Sequence, residues 1–195
     1  MAKDYSEDQL IQKSTAELLE KELGWKSVYA FDNEVLGEQG TLGRKTQREV
    51  VLTRHLRMAL KRLNPWMTDK QMTEAIERMT SYMSSQTLMQ INEEKYGYMR
   101  DGVPVTRLKP NGETELVRAK VMDFANVDNN EFVAVRELWI KGAIHKRRAD
   151  VVCFVNGLPL IFIELKNHDQ DIQNAYTDNY RDYLTPYRIC STTMP

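Results

Sequence analysis

The spacing of apolar residues predicts a helix at the start of the chain. Leucine, isoleucine and alanine recur at roughly helical intervals over residues 6–23, and Gly24 follows as a stop signal. A short strand is expected at residues 26–30, and a glycine-rich loop at residues 37–43. The chain therefore begins with a helix, a strand and a loop.

A helical block is predicted for residues 44–100. Thr46 and Glu49 form a capping-box pattern before an apolar helix that stops at Asn64, and Thr68 and Gln71 repeat the pattern before a second helix. A third helix is expected at residues 87–96. The methionines of this block are interpreted as core residues, although they would also suit a surface that binds a partner.

The pattern changes to strands after residue 102. Strands are predicted at residues 103–108, 115–124 and 132–140, with hairpin and turn signals between them. Asp150 is expected to open an apolar strand over residues 151–155. After a turn at Asn156 and Gly157, a second apolar strand, dense enough to be central and buried on both faces, should cover residues 158–165.

A last helix is expected at residues 171–183. The order of elements predicts a mixed α/β domain. One domain over residues 1–195 is expected, with residues 44–100 as a helical insertion and residues 103–183 as the sheet and catalytic core.

Composition excludes several classes of protein. The 195 residues are 42% hydrophobic and carry a formal net charge of −1, which excludes a simple polycation but allows a local basic patch. The two cysteines, Cys153 and Cys190, are too few for a disulfide framework or a four-ligand zinc site, and Cys153 is expected to be a buried thiol. The residues following Gly43 do not match a phosphate-binding loop, so no ATP site is expected in this chain. No signal peptide or membrane span is evident, which favours a cytoplasmic protein without a membrane partner.

Three charged residues lie at one end of the last predicted hairpin. Glu164 and Lys166 are two positions apart, so on a strand they point to the same face, and the turn brings Asp150 close to them. Converging carboxylates repel each other, and a hard divalent cation such as Mg²⁺ relieves that repulsion. The alternative is an ordinary strand end that emerges into solvent.

A shared site sets a condition on the hairpin. A plain two-residue turn would place Ile163 opposite Asp150 and would point Glu164 to the other side of the sheet. We therefore predict an odd-length loop or a β-bulge near Asn156 and Gly157.

These residues lie within a longer resemblance. The chain resembles the N-terminal domain of the R subunit of type I restriction enzymes over nearly its whole length. The similarity is carried by four blocks in the family's order, namely SEDQLIQKSTAELLEKELGW, LGRKTQREVVLTRHLRMALKRLNP, RADVVCFVNGLPLIFIELKN and AYTDNYRDY.

The resemblance implies a PD-(D/E)xK restriction-endonuclease-like core, with a mixed central sheet flanked by helices and a helical insertion. It implies an Mg²⁺-dependent endonuclease that hydrolyses DNA phosphodiester bonds with a metal-bound water. By position, Asp150 and Glu164 would bind the metal and Lys166 would serve the attacking water. Asn179 and Tyr183 best match the family's Gln-x-x-x-Tyr pattern, with Asn in place of Gln, and Tyr183 would equally suit a packed aromatic.

Related nucleases often add an acidic residue from the first helix, for which Glu7 is a candidate metal ligand and Glu17 a further option. The basic residues Lys146, Arg147 and Arg148 precede Asp150 directly and are candidates for contact with DNA phosphates. Charge runs of this kind are also common on solvated surfaces.

The resemblance further implies partners and a larger protein. Double-stranded DNA and the methyltransferase and specificity subunits of the restriction complex are the expected partners, and ATP would be used only by a motor in the full-length subunit. A different class of function, an idle module that docks DNA or another subunit, stays open. A nuclease of another PD-(D/E)xK family, such as a resolvase-like enzyme, is a third possibility.

Overall fold

A mixed four-stranded sheet forms the centre of the molecule. A computed structural model describes the backbone of residues 7–142 and 146–165, and the side chains from residue 12 onward. The strand order is β1-β4-β5-β6, with β1 parallel to β4 and the other pairs antiparallel. The strands are β1 (Lys26–Tyr29), β4 (Phe132–Lys141), β5 (Lys146–Val155) and β6 (Leu158–Ile163). The predicted α/β class is confirmed.

The helix at the start of the chain covers one side of this sheet. It is α1 (Glu7–Leu23), close to its predicted bounds. Its Leu19 packs against a buried cluster that contains Val151 and Cys153, and Cys153 has no exposed surface. Burial raises the pKa of the Cys153 thiol to about 11, so this cysteine is a core residue, as expected.

The predicted helical block contains three helices that pack against a separate hairpin. They are α2 (Thr53–Leu63), α3 (Asp69–Thr80) and α4 (Leu88–Asp101), and the hairpin consists of β2 (Val103–Leu108) and β3 (Thr114–Ala119). These helices and the β2–β3 hairpin share a hydrophobic core. Val155 at the end of β5 and Leu158 at the start of β6 belong to the same core. Within the described residues, no helix is long and apolar enough to cross a membrane.

The predicted capping box at Thr46 and Glu49 is wrong. Helix α2 begins only at Thr53, and Leu52 at its N-cap makes no side-chain capping bond. The three apolar residues before Thr53 are buried in an irregular segment (Val50, Val51, Leu52). The Leu52 amide donates to the Gly157 carbonyl at 2.8 Å, so tertiary contact with the hairpin turn holds this segment out of the helix. The capping box at Thr68 is confirmed.

Several element bounds also differ from the prediction. Helix α4 continues to Asp101, where Gly102 adopts a φ of 92° and ends it. Strand β3 ends at Ala119, short of the predicted residue 124, because Asn64 accepts the Lys120 amide and the chain then turns at Asp123. The predicted helix at residues 171–183 lies outside the described residues.

The two strands that bear the predicted site differ from expectation as well. Strand β5 begins at Lys146, so Asp150 lies within the strand and does not open it. Strand β6 is an outer strand of the described sheet, and Ile161 is 47% exposed. The expectation of a central β6 buried on both faces is therefore wrong, since only the first two positions of the strand are fully buried.

A two-residue turn connects β5 to β6 and is fixed by its neighbours. Asn156 and Gly157 have φ values of 52° and 81°. Nδ2 of Asn156 donates to the Val121 carbonyl at 2.8 Å, and Oδ1 of the same side chain accepts from Arg62 at 3.0 Å. A Cβ on Gly157 would lie 2.4 Å from the Leu52 carbonyl oxygen, so close approach of two backbones requires glycine here.

A buried ion pair holds the loop between β1 and α2 against the sheet. Arg44 is 1% exposed, and its Nε and Nη2 donate to the two carboxylate oxygens of Glu34 at 2.8 and 2.5 Å. The same guanidinium donates to the carbonyls of Glu49 and Trp139. Arg44 thus ties the loop to β4 at Trp139. Trp139 lies two residues after Glu137, the β4 residue opposite Asp150.

We predict that Arg44→Met lowers the free energy of unfolding by about 3–5 kcal/mol, because it leaves the Glu34 carboxylate buried without its cation. Urea denaturation monitored by circular dichroism measures the change. Adding Glu34→Leu to Arg44→Met should recover part of the loss. The exposed pair of Lys45 and Glu38 provides the control, since Lys45→Met should have little effect. Equal effects of Arg44→Met and Lys45→Met would contradict the prediction.

Candidate active site

Asp150 is held in place by two hydrogen bonds from different elements. Its Oδ2 accepts from the backbone amide of Leu165 at 2.8 Å, and its Oδ1 accepts from Nε2 of Gln12 at 3.0 Å. Leu165 follows β6 and Gln12 belongs to α1, so three segments meet at this carboxylate. Each carboxylate oxygen has two lone pairs, and both oxygens therefore keep acceptor capacity for a further ligand.

The register of the hairpin satisfies the condition set by the sequence. Val155 pairs with Leu158 and Phe154 with Pro159, but Cys153 pairs with Ile161, so Leu160 is an extra residue in β6. Beyond this bulge Val151 pairs with Ile163. Continuing the register by one residue places Glu164 opposite Asp150, and the bond from Leu165 to Asp150 agrees with that placement. The predicted bulge is confirmed, and the turn itself has two residues.

Glu164 lies just after the end of β6. The residue is half-buried, and its Oε2 atom is buried. The described residues thus bring the two predicted carboxylates, Asp150 and Glu164, onto facing positions of neighbouring chain segments. Lys166 lies outside the described residues.

A glutamate that sequence reasoning missed stands across from Asp150 on the other side of β5. Glu137 falls between the pairs Arg136 with Val151 and Leu138 with Ala149. It is 3% exposed and adopts a φ of 58°, a left-handed conformation that costs a non-glycine residue about 1 kcal/mol or more. A strained, buried, charged residue beside Asp150 points to a role at the site.

The regular alternation of side chains breaks near Glu137 in β4 and near Asp150 in β5. In β4, Val135 and Leu138 pack in one core cluster although three positions separate them, and in β5 Ala149 and Val152 do the same. A regular strand would place such residues on opposite faces. Each strand therefore skips one position, and Asp150 is turned towards α1, where Gln12 binds it.

The surroundings of Glu137 perturb its protonation. Burial raises the pKa of the Glu137 carboxyl above its usual range, and the nearby Asp150 charge adds to the rise. Arg148, the Gln12 side chain and Arg136 oppose it. Nε of Arg148 donates to Oε2 of Glu137 at 2.7 Å. Burial outweighs these favourable partners.

The basic residues predicted to contact DNA lie on β5 next to Asp150. Lys146, Arg147 and Arg148 are exposed. Nζ of Lys146 lies 4.0 Å from the centre of the Trp139 ring, and the Arg148 guanidinium lies 4.8 Å from the centre of the Phe31 ring. The face of an aromatic ring attracts a nearby cation, and these contacts favour one position for each of the two side chains. We call Lys146, Arg147 and Arg148 the basic arm.

Of the remaining candidates, Glu17 is the one whose side chain is described. Asn179 and Tyr183 lie outside the described residues, and the side chain of Glu7 is not described. Glu17 forms ion pairs with Lys13 and Lys21 along the surface of α1.

Gln12 is the residue of the first helix that the described side chains place at Asp150. It is 5% exposed and shares the buried stripe of α1 with Ala16 and Leu19. A polar residue on an apolar helical stripe is the signal that would have found it. Glu137, a charge among buried strand residues, carried a similar signal.

The carboxylates of Asp150 and Glu164 are the oxygen donors that the described residues bring together at this site. Among residues 7–142 and 146–165, no group of three or more His, Cys, Asp or Glu side chains is placed to hold a metal ion. Mg²⁺ is commonly bound through one or two carboxylates, with waters and substrate phosphate oxygens as its other ligands. Asp150 and Glu164 fit that pattern.

The sheet, the flanking helices and the facing carboxylates describe an α/β protein with a nuclease-like fold. Residues 4–188 match the family model described as the type I restriction enzyme R protein N terminus. The chain therefore belongs to this family and is the N-terminal domain of a type I restriction enzyme R subunit.

Curated relatives agree with the family. The chain is 33% identical over 182 residues to the type I restriction enzyme HindI endonuclease subunit of Haemophilus influenzae. The aligned residues make up 89% of this chain and 17% of that relative. It is 26% identical over 179 residues to the putative type I restriction enzyme MjaIXP endonuclease subunit of Methanocaldococcus jannaschii, with 89% and 16% covered. It thus spans about a sixth of the length of these relatives.

We predict that Glu137→Gln flattens the pH dependence of stability. The folded pKa of Glu137 lies above the usual value of 4.5, so the folded state holds this proton more tightly than the unfolded chain. The free energy of unfolding of the wild type should therefore fall as pH rises from about 4 through the folded pKa. A glutamine does not titrate, and its variant should lose less stability over that interval. Urea titrations at pH 4 to 8 measure this, and parallel curves for the two proteins would rule the explanation out.

Proposed function

We propose that this domain is the Mg²⁺-dependent DNA endonuclease of a type I restriction R subunit and hydrolyses phosphodiester bonds. The observation that supports this most is the bulge at Leu160, which brings Glu164 opposite Asp150 in a chain of this family. A bulge that re-aims one side chain is common next to active sites.

The proposed chemistry divides among a few groups. Bound Mg²⁺ would supply positive charge for the phosphate and acidity for an attacking water. Asp150 and Glu164 would hold the cation, with the Leu165 amide fixing one carboxylate oxygen of Asp150. Lys166 would orient the water and stabilise negative charge on the phosphate, and Asn179 and Tyr183 would assist from the following segment.

Binding of DNA would use the basic arm. Its three cations lie on the same strand as Asp150, two to four residues before it, so a phosphate backbone that contacts them passes close to the carboxylates. Such contacts position the duplex and carry no sequence information. Target recognition would then belong to the specificity subunit, modification to the methyltransferase subunit, and ATP use to another part of the full-length R subunit.

A docking role without catalysis is the second candidate. The helical block exposes apolar side chains around the start of α4, with Met83 65% and Met89 80% exposed. Methionine suits adaptable protein surfaces. The two functions differ in whether Asp150 is needed for cleavage.

We expect Asp150→Ala to abolish DNA cleavage by the full R subunit assembled with its partner subunits, while ATP hydrolysis and translocation persist. Removing a cation ligand should cost at least about two orders of magnitude in cleavage rate, in line with the loss of a principal electrostatic group. Gel analysis of plasmid cleavage, with ATPase measurements in parallel, tests this. Asp128→Ala removes an exposed aspartate and is the matched control. Cleavage at wild-type rate by Asp150→Ala would favour the docking role.

Removal of two cations from the basic arm should weaken DNA binding in a salt-dependent way. For the double variant Lys146→Ala and Arg147→Ala, the slope of log affinity against log salt should fall by about two, one unit for each lost phosphate contact. Fluorescence anisotropy with a labelled duplex, at several salt concentrations, measures the slope.

The control for this experiment removes the same charge elsewhere. Lys61 and Lys70 are exposed on α2 and α3, and their double alanine variant should keep the wild-type slope. If both double variants reduce the slope equally, binding depends on net charge and the basic arm has no special role.

A further inference from the structure

Two buried polar side chains adjoin Asp150 without any role in the proposed chemistry. Gln12 is 5% exposed and Glu137 is 3% exposed. Burying an amide or a carboxylate costs several kcal/mol unless each finds partners, so their placement needs compensation from the site around them.

The contacts form a chain from the basic arm to the predicted metal ligand. Arg148 donates to Glu137 at 2.7 Å, Glu137 stands opposite Asp150 in the sheet, and Nε2 of Gln12 donates to Oδ1 of Asp150 at 3.0 Å. The Gln12 amide group has two N–H bonds, so one can serve each carboxylate. The Gln12 side chain also opposes the rise in the pKa of Glu137, so one neutral amide lies beside two carboxylates that repel each other.

Backbone geometry accounts for the direction in which Asp150 points. Glu137 stands opposite Asp150, and its left-handed φ coincides with the skipped positions that turn Asp150 towards α1. With regular alternation, Asp150 would point to the opposite face of the sheet from Gln12. The strain at Glu137 and the contact with Gln12 therefore belong to one arrangement.

We propose that Gln12 and Glu137 are positioning residues of the nuclease site. Glu137, held by Arg148, orients the Gln12 amide, and Gln12 fixes Oδ1 of Asp150 so that its remaining lone pairs face the cation. This inference rests on the proposed function. It assigns to α1 an amide donor that orients a metal ligand, and the role of Glu7 stays a separate prediction.

The test measures binding of Mn²⁺ to the 195-residue chain by isothermal titration calorimetry. Partners that orient a metal ligand are worth about 10- to 100-fold in metal affinity. We therefore expect Gln12→Ala to raise the Mn²⁺ dissociation constant at least about tenfold, and Glu137→Gln to shift it in the same direction. If Gln12→Ala does not fold, Gln12→Met keeps the length of the side chain without the donor and provides the same comparison.

The matched control is Gln71→Ala. Gln71 is also a buried glutamine whose Nε2 donates a hydrogen bond, to the Thr106 carbonyl at 2.8 Å, but it lies in α3. Thermal unfolding of all variants reports loss of stability separately from loss of affinity. Gln71→Ala should lower stability and leave the Mn²⁺ dissociation constant unchanged, and an equal loss of affinity in Gln71→Ala and Gln12→Ala would overturn the inference.

Asp150→Ala separates this inference from the proposed function. If the wild type binds Mn²⁺, Asp150→Ala abolishes binding and Gln12→Ala binds like the wild type, the positioning role is wrong and the nuclease site stands. If the wild type does not bind Mn²⁺, or Asp150→Ala binds it unchanged, the proposed site and the positioning role both fail.

Discussion

One extra residue in β6 decides which side chain faces Asp150. Antiparallel strands joined by a two-residue turn pair in a register that would place Ile163 there. Leu160 adds a position on one strand only, and every later residue of β6 moves by one. The amide of Leu165 can then reach the Asp150 carboxylate, and Glu164 occupies the facing position. The proposed chemistry depends on this shift, because metal ligands must converge.

The polar groups around Asp150 are arranged to offset one another. Asp150, Glu137 and Arg148 place two carboxylates and one guanidinium at the junction of β4, β5 and α1, and the neutral Gln12 donates to Asp150. Removing one member of such a group leaves another buried without compensation, which costs more than the intact group contributes. The site is therefore expected to respond as a unit to mutation.

Sequence reasoning identified elements whose signals are local. The helix at residues 6–23, the capping box at Thr68 and the turn at Asn156 follow from side-chain spacing and turn chemistry, and the structure confirms them. The bulge was predictable because a shared site would be impossible without it.

The helix expected from Thr46 failed because the buried residues before Thr53 pack against the hairpin turn, a tertiary contact that propensity does not encode. Gln12 and Glu137 were missed because their partners lie more than a hundred positions away or on another strand. The roles of Asp150, Glu164, Lys166, Asn179 and Tyr183 stay predictions.

The Asn156 and Gly157 turn also bears on how natural variation in this family should be interpreted. The Leu52 carbonyl leaves no room for a side chain at position 157. The Asn156 side chain donates to the Val121 carbonyl and accepts from Arg62. Selection for packing and hydrogen bonding alone would therefore preserve both residues. Asn156 lies six residues after Asp150 and eight before Glu164, and Gly157 lies seven residues from each. Invariance of both residues among homologues would therefore not by itself assign them to the nuclease motif, because packing and hydrogen bonding already account for it.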